Sequence, residues 1–327
     1  MAVYTNLNEA QIKDFLKLYN IGELISFNGI TEGIENSNFH LKTSNGNFIL
    51  TIFEKRVDIK DIPFFIKIML HLNKNGYYCP KPICDKNGKF LQELRGKPTI
   101  IVNFLEGKSK KNITIEDCNQ VGSSMGLMHI YSKNFELHRD NSLSIKGWEN
   151  LIKNCNNSVP MSVLDKLQPD LMNDIQNSFD LVVKFWPHDL PKGFIHGDLF
   201  PDNVFFINDK ITGVIDFYFS CTDVLTYDLA IAINAWCFDE KDKFQDKKYQ
   251  ALLNGYNSKR KLSKDEEFFL PLLCHAASLR FLLTRLFDWV NTPIEANVVL
   301  KNPEEYVKKH KHFKKLVNKI RYTEYLP

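Results

Sequence analysis

The sequence predicts an α+β chain of two lobes, a small antiparallel-sheet lobe over 1–105 and a larger helical lobe over 106–327. Three observations predict it. Short apolar segments separated by turn residues fill the first hundred positions. Helical periodicity takes over after Glu106-Gly107. One interruption, Ile195 to Asp216, then breaks the helical half with a loop and two short strands. At roughly 100–200 residues per domain the length suits two such bodies. A body of this kind has a cleft at its join, where ligands commonly bind.

The elements follow in order. Asn8 or Thr5 opens a short helix ending near Tyr19. Leu24 to Phe27 reads as a strand, followed by a glycine-bearing turn from Gly29 to Gly33. Phe39 to Thr43 and Phe48 to Phe53 form a hairpin around Asn45-Gly46, a dipeptide that accepts the positive φ of a tight turn. Asp61-Ile62-Pro63 starts a helix to about Asn75, with Gly76 as its stop. Phe90 to Glu93 and Thr99 to Phe104 are strands around an Arg95-Gly96 turn, and a connector near Leu105 leaves the lobe.

Beyond it, helices are expected from Thr114 to Tyr131 and from Ser162 to Phe185. Val204 to Ile207 and Ile211 to Ile215 are the two strands of the interruption, with a helix before them. Further helices fill Val224 to Cys237 and Lys243 to Asn257. Ser263 and Glu266 form a capping box that opens a long helix to about Val290. Pro303, at the first helical position, opens the last helix.

Composition excludes several classes. A net charge of +3 is too small to steer the chain to nucleic acid or a membrane surface. The basic run Lys308 to Lys315 reads as a solvated helix face, without the interleaved aromatics of a nucleic-acid patch. The 7 cysteines are odd in number, irregularly spaced and form no CxxC pair, so neither a disulfide framework nor a zinc site is expected. Reduced thiols point to the cytoplasm. The N-terminus lacks the basic and apolar blocks of a signal peptide, and charged or amide residues interrupt the apolar stretches before the length of a transmembrane helix.

The chemistry concentrates in FIHGDLFPDNVFFINDKITGVIDF, Phe194 to Phe217. Phosphoryl transfer needs a carboxylate to orient an attacking hydroxyl and accept its proton, and hard oxygen ligands for magnesium on the phosphates of ATP. Asp198 suits the first task. Asn203, five residues on, and Asp216, on the second arm of the hairpin, suit the second. Order and spacing are those of a kinase catalytic loop and metal aspartate. His196 is expected to hold the loop backbone by hydrogen bonds, and Asp223 and Asp228 to cap or brace the helix that follows.

Three other stretches support this reading. Gly29 and Gly33 lie where a backbone can approach phosphates, with Glu32 nearby at the turn. Val102, Asn103, Phe104 and Leu105 are the expected adenine contacts, on a buried strand entering the connector. In LRFLLTRLFDWVN, a buried arginine needs a partner. Arg280 and Arg285 are therefore either paired with Asp228 or Asp288, or clamp a substrate carboxylate.

These motifs resemble the aminoglycoside-phosphotransferase-like kinases, which share the protein-kinase-like fold, and among them the bacterial homoserine kinases. The longer runs FNGITEGIENSNF, FILTIFEKRV, DIPFFIKIMLHL and GVIDFYFSCTDVLTYDLAIAINAWCF carry the closer likeness. The resemblance implies transfer of the ATP γ-phosphate to the side-chain hydroxyl of L-homoserine, with Asp198 as base and Asn203 and Asp216 on Mg2+. Choline, an aminoglycoside or another alcohol is the alternative acceptor, and a non-catalytic nucleotide-binding module the remaining reading. One position departs from the family pattern. Thr51 stands where the third strand usually carries a phosphate-pairing Lys or Arg, leaving Lys55 or Arg56 as substitutes.

Overall fold

A computed structural model describes residues 5–30, 36–54, 57–292 and 300–322. In chain order the elements are α1 (Glu9–Leu16), β1 (Leu24–Ile30), β2 (Ser37–Thr43), β3 (Gly46–Ile52), α2 (Ile62–Lys74), β4 (Pro82–Ile83), β5 (Gln92–Leu94) and β6 (Lys97–Asn103). There follow α3 (Ile115–Ser132), α4 (Ile145–Ser158), α5 (Met161–Leu167), α6 (Leu171–Phe185), β7 (Lys192–Ile195), β8 (Val204–Ile207), β9 (Lys210–Val214) and β10 (Cys221–Val224). Last come α7 (Leu225–Trp236), α8 (Asp246–Lys259), α9 (Lys264–Asn291) and α10 (Glu304–Val317). The α+β class is as expected.

The chain forms two compact units. The sheet unit comprises Met1–Ser109, Phe135–Arg139 and Asn203–Tyr218. The helical unit comprises Lys110–Asn134, Asp140–Asp202 and Phe219–Pro327.

In the sheet unit the strands run in the order β1-β2-β3-β6-β4, with β5 also on β6, and every pairing is antiparallel. Asn45-Gly46 makes the expected hairpin, with Thr43 opposite Gly46. Period-two alternation puts Phe39, Leu41, Phe48, Leu50 and Ile52 on one face. There they pack with Ile12, Phe15 and Leu16 of α1. That helix is fixed by a capping box in which Asn8 and Gln11 satisfy each other's backbone N–H at 2.9 and 3.0 Å. The opposite face carries Ile49, Thr51 and Phe53.

In the helical unit α9 is the central element, with α4, α6, α7 and α10 packed on it. Its N-terminus is the expected Ser263–Glu266 capping box. Helices α3 and α8 touch backbone to backbone. A Cβ added at Gly122 would lie 2.0 Å from the Leu252 carbonyl oxygen.

Three expectations need correction, and one helix went unread. A strand, β7, precedes the Phe194–Phe217 loop, not a helix, and it pairs with β10. Helix α4 was missed, although Ile145, Trp148, Leu151, Ile152 and Cys155 recur at helical spacing. The expected Ser162–Phe185 helix is two helices, broken at Pro169 and at Asp170 with φ 59°. Pro303 caps α10 and does not start it, and Asn302 Oδ1 accepts the Glu304 N–H at 2.9 Å. Among the described residues one helix, α9, is long and apolar enough to cross a membrane, a reading the interrupted apolar stretches did not suggest. Of its apolar window, 72% is buried inside the protein.

Where α6, α9 and α10 meet, the rings of His275 and His310 stack at 4.4 Å. His310 is bonded to Ser178 (3.1 Å) and Ser278 (3.2 Å), with Lys314 and Asp174 nearby. Burial, then the Lys314 charge, pushes the His310 imidazole down to about 3. Burial and the His310 and Lys314 charges push His275 the same way. Between pH 6.5 and 3 the unfolded chain therefore binds a proton at 310 that the folded chain refuses. Stability falls as pH drops through that window, by up to about 1.4 kcal/mol per pH unit for His310. In thermal melts between pH 6.5 and 5, His310→Gln is expected to show a shallower decline than the parent. Equal slopes would contradict the assignment.

Candidate active site

Strand β7 delivers the chain into a loop that its surroundings hold at nearly every peptide. His196 and Gly197 donate their N–H groups to the two oxygens of Asp228, at 2.9 and 2.8 Å. The Gly197 carbonyl accepts from Arg280 Nη1 at 2.7 Å. The Asp198 N–H donates to His196 Nδ1 at 3.3 Å, and the Phe200 N–H to the Asp198 carbonyl at 2.8 Å. Trp236 Nε1 donates to the Leu199 carbonyl at 2.8 Å. Gly197 has φ +76°, a conformation that favours glycine, and a Cβ there would come 3.0 Å from the Phe219 carbonyl oxygen. His196, Leu199 and Phe200 are buried while Asp198 keeps partial exposure. The arrangement leaves a carboxylate at the surface of a fixed loop, the geometry a general base requires.

Asp228 lies fully buried on α7. It therefore does more than brace its own helix. Burial alone would raise its carboxyl. The hydrogen bonds from His129 and from the Gly197 N–H outweigh that and hold it below the ordinary carboxylate range. His129 Nε2 donates to Asp228 at 3.1 Å, and His129 Nδ1 accepts the Tyr256 hydroxyl at 2.8 Å. Arg260 Nη1 in turn donates to the Tyr256 oxygen at 2.9 Å, and its guanidinium pairs with Glu266 at 2.8 Å. Asp223 lies in β10 and does not cap α7, whose N-cap Val224 has no side-chain cap; it accepts the Val224 N–H at 2.7 Å and Asn141 Nδ2 at 2.7 Å.

The chain passes from the helical unit to the sheet unit between Asp202 and Asn203. Asn203 is buried at the foot of β8, and the Ile215 N–H donates to its carbonyl at 3.0 Å. Asp216 follows two residues past the end of β9, with φ +63°. The β8–β9 register, Val204 opposite Val214, thus brings the backbones of 203 and 215 together. Among the described residues no three His, Cys, Asp or Glu gather as a metal cage. An amide and a carboxylate oxygen are the kind of donor set magnesium uses when phosphates and waters complete its shell. The donors fit that ion.

Thr51 is engaged within the sheet unit. Its hydroxyl donates to Asn38 Oδ1 at 2.7 Å, and the Tyr218 hydroxyl hydrogen-bonds to it. Tyr218, two residues after Asp216, is also held edge-on by Phe53 at 5.0 Å and Phe65 at 5.8 Å. No sequence pattern announced this contact. Lys55, Arg56, Glu32 and Gly33 lie outside the described residues. Gly29 is within β1, opposite Phe39. Val102 is a buried ladder residue opposite Ile49. Asn103 and Phe104 donate their N–H groups to the carbonyls of Lys81 (3.0 Å) and Asn47 (3.1 Å). The Phe104 ring lies against His40 at 4.9 Å, and Leu105 lies over Gly213.

Both arginines of α9 have protein partners. Arg285 pairs with Glu305, not with Asp228 or Asp288, donates to the Asn302 carbonyl at 3.3 Å and lies over the Tyr306 ring at 4.3 Å. Burial would raise the Glu305 carboxyl, but the charges of Lys309 and Arg285 bring it down to about 2. The pairing of 285 with 305 crosses two helices and leaves no mark in a single segment.

The profile of the phosphotransferase enzyme family matches residues 26–262. The homoserine kinase of Allorhizobium ampelinum is 46% identical over 309 residues, 94% of this chain and 95% of that protein. The homoserine kinase of Brucella canis is 43% identical over 325 residues, 98% of this chain and 97% of that protein. Among solved structures, a microcompartment-associated aminopropanol kinase superposes with a TM-score of 0.70 at 14% identity, covering 96% of this chain and 100% of its own, and so shares the fold. The chain belongs to the phosphotransferase enzyme family and, within it, to the homoserine kinases.

Proposed function

We propose that this chain transfers the γ-phosphate of ATP to the side-chain hydroxyl of L-homoserine, giving ADP and O-phospho-L-homoserine. The observation that supports this most is the partly exposed Asp198 on a largely buried loop held by hydrogen bonds at nearly every peptide, in a chain 46% identical to a homoserine kinase over nearly its whole length. In this reading Asp198 orients the acceptor hydroxyl and takes its proton as the oxygen–phosphorus bond forms. The bond from the γ-phosphorus to the bridging oxygen breaks, and the electron pair leaves on ADP. Magnesium, when bound, neutralises charge on the phosphates, and Asn203 and Asp216 are the residues that would hold it. Gly29 and Gly33 are assigned to the phosphates, and Val102 to Leu105 to the adenine.

Homoserine brings a carboxylate and an ammonium of its own. Of the residues expected to meet them, Glu32 stays a candidate contact, and so does Arg285, which lies over the ring of Tyr306, a residue whose hydroxyl feels the Asp198 charge. Arg280, more deeply enclosed, has a different role.

Asp198→Ala is expected to abolish turnover while ATP binding, read by calorimetry, stays within a few-fold of the parent. Near-normal kcat in that variant would refute the base assignment. In an ADP-release assay with magnesium, L-homoserine should exceed 3-aminopropan-1-ol, the same amino alcohol without the carboxylate, by about 100-fold or more in kcat/KM. A site built around a polar group rejects the analogue that lacks it. Equal use of the two would contradict homoserine as the acceptor.

A further inference from the structure

We infer that Arg280 is a positioning residue for Asp198, acting through the peptide that joins Gly197 to Asp198, and that it does not clamp the acceptor carboxylate. This rests on Asp198 serving as the base of an alcohol phosphotransfer.

The peptide immediately before Asp198 has two polar groups. Its carbonyl, from Gly197, accepts Arg280 Nη1 at 2.7 Å, and its N–H, from Asp198, donates to His196 Nδ1 at 3.3 Å. The peptide before it is fixed from the other side, by the Gly197 N–H on Asp228. Glycine at φ +76° has open rotational alternatives, so the plane of the 197–198 peptide is set by these bonds and not by sterics at its own Cα. Of the two bonds on that peptide, the one from Arg280 is the shorter and carries a full charge, which makes it the stronger. It comes from a helix 83 residues further along the chain.

Arg280 is built for this contact. It is 3% exposed, and its Nε is enclosed with no hydrogen-bond partner among the described residues. A solute carboxylate cannot reach that nitrogen without displacing the packing. The guanidinium carbon lies 4.6 Å from the centre of the Phe281 ring, and Phe281 meets Phe200 of the loop edge-on at 4.9 Å. Helix α9 thus holds the loop on both sides of Asp198, at 197 by charge and at 200 by an aromatic pair.

The test compares Arg280→Met, which keeps length without donors, with Arg280→Lys, which keeps the charge. Arg280→Met is expected to lose about 10- to 100-fold in kcat, the scale of a misplaced catalytic group. Its homoserine KM should stay within about twofold of the parent, and amide exchange over 196–200 should speed up. Arg280→Lys should recover part of kcat. A raised KM with kcat kept would make Arg280 a substrate clamp and overturn the inference, as would unchanged kcat with unchanged exchange. If the Met variant does not fold, the Lys variant decides. Intermediate kcat with faster loop exchange supports the inference, and parental values throughout overturn it. Exchange is read without substrate, so failure of homoserine as acceptor leaves this test standing.

Discussion

The carboxylate of Asp228 is a charge with no solvent, and the structure around the loop depends on how it is satisfied. Its two oxygens receive the N–H groups of His196 and Gly197 and the Nε2–H of His129. An isolated buried carboxylate would neutralise itself by taking a proton. Here those three donors keep it ionised. Removing one partner of such a buried charge costs about 3–5 kcal/mol, so the loop cannot leave Asp228 cheaply. The same bonds that stabilise the charge dictate the loop's path.

The donors are themselves tied. The row from Arg260 through Tyr256 and His129 to Asp228 alternates donor and acceptor without a gap. Glu266, at the start of α9, closes it by pairing with Arg260 and accepting the Thr226 hydroxyl at 2.6 Å. A capping residue of one helix thereby belongs to the network that orients a loop on another part of the chain. Polar networks of this kind are rigid when every member is satisfied. That rigidity is what a base needs, since its task is to hold one oxygen in one direction while an acceptor arrives.

Much of this was legible in the sequence where the signal is local. Asn45-Gly46, the Asn8 and Ser263 caps and the Pro63 helix start all act within a few residues, and the structure has each of them. The loop from His196 and the hairpin that follows it were readable because their turn and strand signals are contiguous. What the sequence hid is long-range. Asp228 lies 31 residues beyond Gly197 and Arg280 lies 83, and nothing in either segment names the carbonyl or N–H it serves. The buried Asp in an apolar α7 was itself a signal, since a charge on such a face must be paired, but the identity of its partners was not. The Arg285–Glu305 pair and the Thr51–Tyr218 bond are hidden for the same reason. The two short strands β7 and β10 form only because they have each other.

The claim on which the rest stands is that a buried carboxylate at 228 fixes the loop carrying Asp198. Asp228→Asn tests it most directly, because the amide keeps the shape, removes the charge and turns one acceptor into a donor facing an N–H. Amide exchange over residues 196–200 is expected to speed up and kcat to fall by about 100-fold or more, with folded secondary structure retained in circular dichroism. Parental exchange and parental kcat in Asp228→Asn would contradict it.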